Sequence, residues 1–254
     1  MFLPKISIIT AVKNNLSGLT STIRSIREQQ YPELEFIVID GVSTDGTLDL
    51  ISDNRDVITH TSSEPDDGIS DAFNKGLNLA TGTYINFQGA GDTLYAPNSL
   101  QNLFDRASPD SELVCGQVAR VTQDNKLMWI APKKVPLFFN KRSLLTKLTL
   151  PHQGLFTHKR FFERWGQFDE SAKFAMDYDI LLRAYHDFPK TDVIDVIVAN
   201  WQAGGIGTNR ILAVLSEYHR LKSKYQVASP IILNSIHQLN RLKYFTKQTL
   251  KMDY

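Results

Sequence analysis

Three acids fall just after consecutive strand-like runs, and their placement is the first hint of chemistry. Asp40 follows Glu35-Phe36-Ile37-Val38-Ile39, Asp66 follows the run ending at Thr61, and Asp92 follows Thr83-Tyr84-Ile85-Asn86-Phe87. Each has glycine close by: Gly41, Gly68, and the Gly89-Ala90-Gly91 turn. Glycine lets the backbone turn sharply and lets a ligand approach it closely. Ligands of open α/β folds bind beyond the carboxyl ends of the strands. Three acids on one such rim predict a polar ligand accompanied by a hard cation, which takes oxygen ligands. Other chemistries lack their signatures. Residues 10–15 carry no G-x-G-x-x-G, and no G-x-x-x-x-G-K-[ST] occurs in the chain. No G-x-S-x-G or Cys–His pattern supports a covalent nucleophile, and the histidines lack metal-ligand spacing.

The elements that must position these acids alternate. Ile6–Val12 is β-branched and nearly continuous, as a parallel strand covered on both faces should be. A helix follows from Ser17, with Leu19, Ile23 and Ile26 at helical spacing. Residues 35–39 form a second strand, with a helix starting near Thr47, and residues 57–61 form a weaker third strand. Ile69 to Ala80 reads as a helix before the strand that ends at Asp92. This alternation predicts a mostly parallel sheet with helices on both faces. Further on, the pattern predicts a helix over 100–104, a strand over 112–121 and an irregular extended stretch over 126–136. A strand over 151–157, a short helix over 159–165, a helix from Asp177 to Tyr185 and a last strand over 192–200 follow. Gly204–Thr208 reads as a flexible loop, and two helices, 211–225 and 230–250, finish the chain.

At 254 residues the chain can bury a full core. A formal net charge of +1 argues against nucleic acid as a partner. The single Cys115 excludes an internal disulfide framework and suits a reducing compartment. No apolar run approaches the roughly 18–20 residues that span a bilayer, and residues 1–5 do not resemble a signal peptide. The expected location is cytoplasmic, with the membrane surface open as a peripheral site.

The residues also carry a resemblance. Ile8–Asn14, Ile37–Thr47, Ser63–Gly76 and Ala80–Phe87 occur in order, followed by Gly166–Asp169 and Asp177–Arg183. In these motifs, over roughly residues 5–210, the chain resembles family 2 glycosyltransferases of GT-A fold, close to bacterial enzymes that assemble surface polysaccharides. The resemblance implies a catalytic domain over 1–210, with a nucleotide-sugar half (1–105) and an acceptor-side half (106–210), and a helical extension over 211–254. It implies an inverting transfer of a sugar from a nucleotide-diphosphate donor, UDP-linked by preference, to a saccharide or polyprenyl-diphosphate-linked acceptor.

Position by position, Thr10, Val12 and Asn14 match the loop bordering the nucleotide, and Asp40 matches the acid that accepts a hydrogen bond from the base. Ser43 and Asp45 shape the next loop, and Asp45 also suits the N-cap of the following helix. Asp66 and Gly68 match a loop facing the nucleotide, Asn74 a residue on the helix beside it, and Gly91 the turn before the metal acid. Asp92 matches the last acid of a DxD-type motif that holds Mn²⁺ or Mg²⁺. Gly89 and Gly91 replace its other ligands, and Phe73 stands where many relatives have Arg. Asp177 matches the general base and also suits a helix cap. His152 and the Gly205 and Arg210 region are candidates for the acceptor side and a lid. Those departures keep in view a catalytically degenerate nucleotide-sugar-binding protein, and the shared α/β nucleotide fold keeps in view, more distantly, a sugar nucleotidyltransferase.

The last helix places Ile231, Ile236, Leu239, Leu242, Phe245 and Leu250 on one face, with His237, Arg241, Lys247 and Lys251 opposite. Such a basic amphipathic helix suits either peripheral contact with the inner membrane or docking on protein.

Overall fold

The computed structural model describes residues 3–124, 126–133, 135, 139–202 and 210–250. Its first half is a run of parallel strands. β1 (Ile6–Val12) lies between β2 (Leu34–Asp40) and β4 (Tyr84–Gly89), and β3 (His60–Ser63) extends the sheet beyond β2. Three helices make the crossovers: α1 (Leu16–Arg27), α2 (Thr47–Asp53) and α3 (Ile69–Leu79). The side chains of β1 divide between two cores. Ile6, Ile8 and Val12 join a cluster with Leu19, Ile23 and Ile26 of α1, while Ile9 joins Ala72 and Phe73 of α3 on the other face. Strand alternation and burial on both faces account for the unbroken apolar run.

Beyond β4 the sheet becomes mixed. β5 (Thr93–Leu94) and α4 (Ser99–Phe104) lead to β6 (Leu113–Val121) and β7 (Leu127–Ala131), and β8 (Leu155–His158) precedes α5 (Lys159–Trp165). After α6 (Met176–Arg183), β9 (Thr191–Gln202) runs beside β6, and α7 (Ile211–Lys224) and α8 (Pro230–Thr249) follow. The strand order is β3-β2-β1-β4-β8-β6-β9-β5, with β7 paired to β6. β8 is antiparallel to both β4 and β6, and β6 is parallel to β9. The carboxyl ends of β1, β2, β4, β6 and β9 therefore share one edge of the sheet.

Three expectations shift. The third strand forms at His60–Ser63 rather than over 57–61, because these polar residues gain ladder bonds to β2. The stretch expected to be irregular contains β7, paired with β6 as a hairpin arm. The segment 151–157 opens with a 3₁₀ turn over His152–Gly154 before it becomes a strand. The terminal helices are tied into the core: Leu221 of α7 and Leu233 of α8 belong to the same cluster as Phe73 and Phe87.

Candidate active site

At the rim, the first loop is tied together by side chains. Asn14 accepts from the Thr44 amide at 2.8 Å and gives its own backbone N–H to Ser43 Oγ at 2.8 Å. Ser43 in turn donates its amide to Asp40 Oδ2 at 3.0 Å, and Ser63 Oγ donates to the same oxygen at 2.6 Å. Asp40 is fully buried, yet its Oδ1 has no partner, nor does Thr10 Oγ1 on the neighbouring strand. Buried polar atoms are normally satisfied, so these two unpartnered ones on neighbouring strands of the rim stand out. Val12 is buried in the core rather than presented to the rim. Asp45 receives the Leu16 amide at 3.0 Å and both the amide and hydroxyl of Thr47, which ties the starts of α1 and α2 together. Asp66 accepts from the Gly68 amide at 3.1 Å and packs over Gly41, where a side chain would collide with it.

Asp92 is 7% exposed. Its Oδ2 accepts from the Gly89 amide at 3.1 Å and from Gln153 Nε2 at 3.2 Å, and its Oδ1 accepts from the Gln202 amide at 3.2 Å. Burial pushes its pKa up, against the opposing pull of His152 and those three donors. Gly91 has φ +108°, and a Cβ there would lie 2.7 Å from Gln202 Oε1. The Gln202 side chain could swing aside, so it is the left-handed backbone that disfavours a second acid at that position.

The candidate base is reached from the same turn as Asp92. Asp177, in the first turn of α6, takes the Tyr178 amide on Oδ1 at 2.8 Å. Its Oδ2 lies 3.3 Å from His152 Nδ1. His152 and Gln153 are consecutive, and one reaches Asp177 while the other reaches Asp92. Burial works against a charge on His152, but the hydrogen bond and charge of Asp177 and the charge of Asp92 outweigh it and raise its pKa. Behind His152 and Asp177 is an apolar cavity of about 20 Å³, lined in part by Phe87, Phe162 and Met176. That is about the space of one water molecule.

Sequence reasoning missed what holds this turn. Asn86 donates to the carbonyls of His152, Gln153 and Leu155, and Gln88 donates to that of Gln153 at 2.9 Å. The signal was there, in two amides alternating along an otherwise apolar strand. Two candidates sit elsewhere. Asn74 is buried and exchanges two hydrogen bonds with the backbone of Phe168, so its amide fastens α3 to the turn after α5 instead of facing a nucleotide. Arg210 is exposed and stands 5.9 Å over the Phe174 ring. Gly205 and the rest of the expected 204–208 loop lie outside the described residues. Phe73, the departure from Arg, is fully buried against Phe87 and Phe168.

Among the described residues no three His, Cys, Asp or Glu side chains cluster as a metal site. One carboxylate remains, and its Oδ1 keeps a lone pair beyond the bond from Gln202. Mg²⁺-type ions are commonly held by one or two carboxylates plus substrate phosphates. A cation would also offset the unfavourable burial of Asp92, so the residues fit an ion carried largely by a diphosphate ligand.

The chain is similar to known glycosyltransferases. A PGL/p-HBAD biosynthesis glycosyltransferase of Mycobacterium bovis is 30% identical over 220 residues, covering 84% of this chain and 82% of that protein. An uncharacterized glycosyltransferase of Rickettsia typhi is 26% identical over 234 residues, covering 87% and 71%. Among solved structures, S. aureus TarS 1-349 in complex with UDP superposes with a TM-score of 0.71 at 18% identity, covering 96% of this chain and 73% of TarS. The mannosyltransferase PcManGT of Pyrobaculum calidifontis, in complex with GDP-Man and Mn²⁺, gives 0.64 at 19% identity, covering 93% and 69%. The pattern of glycosyl transferase family 2 matches residues 7–166. With the sheet, the rim acids and these relatives together, the chain belongs to glycosyl transferase family 2 and is a glycosyltransferase of GT-A fold.

Proposed function

We propose that the enzyme performs an inverting transfer from a UDP-sugar to a saccharide or lipid-linked saccharide acceptor, in the making of a surface polysaccharide. Inversion needs an acceptor hydroxyl to attack the anomeric carbon as the nucleoside diphosphate leaves from the opposite face. Asp177 takes the proton from that hydroxyl, with His152 orienting its carboxylate. Asp92 would hold Mn²⁺ or Mg²⁺, which when bound neutralises charge on the departing diphosphate. The nucleotide lies along Thr10, Asn14, Asp40, Ser43 and Asp66. The unpartnered Asp40 Oδ1 suits the imide N–H of uracil. The observation that carries the reading is the His152–Gln153 pair, whose side chains reach the two carboxylates from one turn.

The test is donor hydrolysis and transfer with Mn²⁺, comparing the native enzyme with Asp177→Asn. Loss of a general base should slow turnover by about 10²–10⁴-fold while leaving UDP binding intact. Equal background rates in both would instead mark a nucleotide-sugar-binding protein that has lost catalysis, the alternative favoured by the single remaining metal acid.

A lipid-linked acceptor would bring the enzyme to the cytoplasmic face of a membrane, and α8 supports this. No described helix is long and apolar enough to cross a bilayer. In α8, however, Ile231, Leu239, Leu242 and Phe245 point outward, Ile231 being 79% exposed. At 100° per residue Arg241 and Lys243 border this stripe on either side. Residues 230–250 contain no Asp or Glu. The inner side is the more polar one, with Asn240 donating to the Thr146 carbonyl and His237 stacked on His219. Lys251 lies outside the described residues. Co-sedimentation with anionic vesicles, and its loss in Leu242→Asp, tests the contact; retention with neutral vesicles alone would refute it.

A further inference from the structure

The same rim carries a charged cluster that the reaction above does not use. Arg120 of β6 faces Trp129 of β7 and Trp201 of β9 in the strand register, so the three side chains share one face. The guanidinium carbon lies 4.2 Å from the centre of the Trp201 ring and 5.6 Å from that of Trp129, and the two rings meet edge to face at 5.9 Å. Arg120 Nε is buried without a hydrogen-bond partner. Among the described residues no carboxylate pairs with it, whereas Arg24, Arg27, Arg160, Arg164, Arg183 and Arg220 each have one. Burial alone lowers its pKa, with no anion to oppose it.

Its place in the fold gives this lone cation a use. Trp201 immediately precedes Gln202, whose amide donates to Asp92 Oδ1. The carboxyl ends of β6 and β9 point to the same edge of the sheet as that of β4. The cluster is therefore at the same edge of the sheet as Asp92 and one residue along β9 from its Gln202 partner. Cation–π contact with two roughly perpendicular indoles holds the guanidinium in place. A guanidinium fork matches two phosphate oxygens, and aromatic rings offer apolar faces to a sugar.

We propose that Arg120, Trp129 and Trp201 form a binding site for the phosphate of a sugar phosphate, separate from the nucleotide donor pocket. This rests on the glycosyltransferase reading, in which a lipid-linked acceptor carries such a phosphate next to its sugar.

The chain has three tryptophans, so Trp165→Phe leaves only the two of the cluster to report. Glucose 1-phosphate is titrated into this otherwise full-length protein, without metal, and tryptophan emission is followed. A saturable change is expected. Arg120→Ala should weaken it at least about tenfold, and Arg120→Lys, which keeps charge but not the fork, by several-fold. Neutral methyl glucoside should give no comparable change, and saturating UDP should leave the titration in place. An unaltered titration in both Arg120 variants, an equal response to methyl glucoside, or displacement by UDP would each overturn the proposal. Melting shifts with UDP and Mn²⁺ are measured on the same proteins. Their absence from the native enzyme would count against the donor reading, while the titration alone decides for or against the cluster.

Discussion

The two ends of the central sheet bury carboxylates in opposite ways. At the amino ends of β1 and β2, Glu35 is 1% exposed and takes bonds from the hydroxyls of Ser7 and Thr81, the Thr81 amide at 2.9 Å and Lys5 Nζ at 3.1 Å. Burial alone would raise its pKa, but these donors outweigh it and hold the group at about 2. At the carboxyl ends, Asp92 is almost as buried, and there desolvation wins. Asp40, at the end of β2, leaves one oxygen without a partner. A closed network serves the fold, while an open one leaves room for a ligand to complete it. The contrast separates stability from function within one sheet, so substitutions at the two ends should fail differently.

Between these two carboxylates the larger effect on transfer is expected at Asp92. Asp92→Asn removes a charge that burial disfavours, but its NH2 must face the Gln202 amide or those of Gly89 and Gln153, so a loss of about 1–3 kcal/mol of stability is expected. Mn²⁺-dependent transfer should fall by about 10²–10³-fold, as for loss of a preorganised electrostatic group. Melting curves and initial rates on the same preparation check both halves. Rates near native would remove Asp92 from the chemistry and break the contrast at its functional end.

Glu35→Gln should instead leave UDP binding intact while costing about 2–3 kcal/mol of stability. The sign over pH follows from the lowered pKa. The ionised network contributes fully above the unfolded carboxylate value of about 4.5 and is lost as pH falls towards about 2. Urea titrations at pH 7 and pH 3 should thus show the native and variant proteins converging in acid. Parallel curves at both pH values would mean that the hydroxyl and amide bonds do not favour the charged form.

How much of this was legible in the sequence depended on how local the determinants are. β1 and β2 could be read because burial on both faces leaves an unbroken apolar run. The third strand was expected over 57–61 but its bounds could not be read, since His60-Thr61-Ser62-Ser63 owes its place to the ladder with β2 and carries no apolar signature. Asp40, Asp92 and Asp177 stood out through strand ends and motif order, but Asn74 did not reveal its role. Its partner Phe168 is 94 residues away, and the same side chain would look identical facing a nucleotide. His152 was visible as a candidate, whereas the link it makes with Gln153 between two acids needed the turn held by Asn86 and Gln88. The direction of α8 was likewise hidden. A helical wheel gives an apolar face but not which side meets the body of the protein.

The smallest effect sharpens the contrast by asking whether an incompletely compensated charge away from the rim is merely a cost. Lys222 of α7 is 2% exposed, has no carboxylate partner among the described residues, and donates to the Leu145 carbonyl at 3.0 Å. Burial lowers its pKa to about 8. The folded state therefore carries its full penalty below pH 8, and stability should climb as pH rises from about 8 towards the unfolded value of about 10.5. Lys222→Met keeps the length of the buried stem and removes the charge, at the expense of one hydrogen bond to a carbonyl. The net gain should be about 1 kcal/mol at pH 7, since replacing a buried charge by a well-packed apolar group is often stabilising. The variant should also lose the rise in stability above pH 8, which urea titrations at pH 7 and pH 9.5 would detect, while transfer rates stay at the native level. A variant that is less stable at pH 7 would show that the bond to Leu145 outweighs desolvation, and an open polar group in this fold would then no longer be a reliable pointer to a ligand.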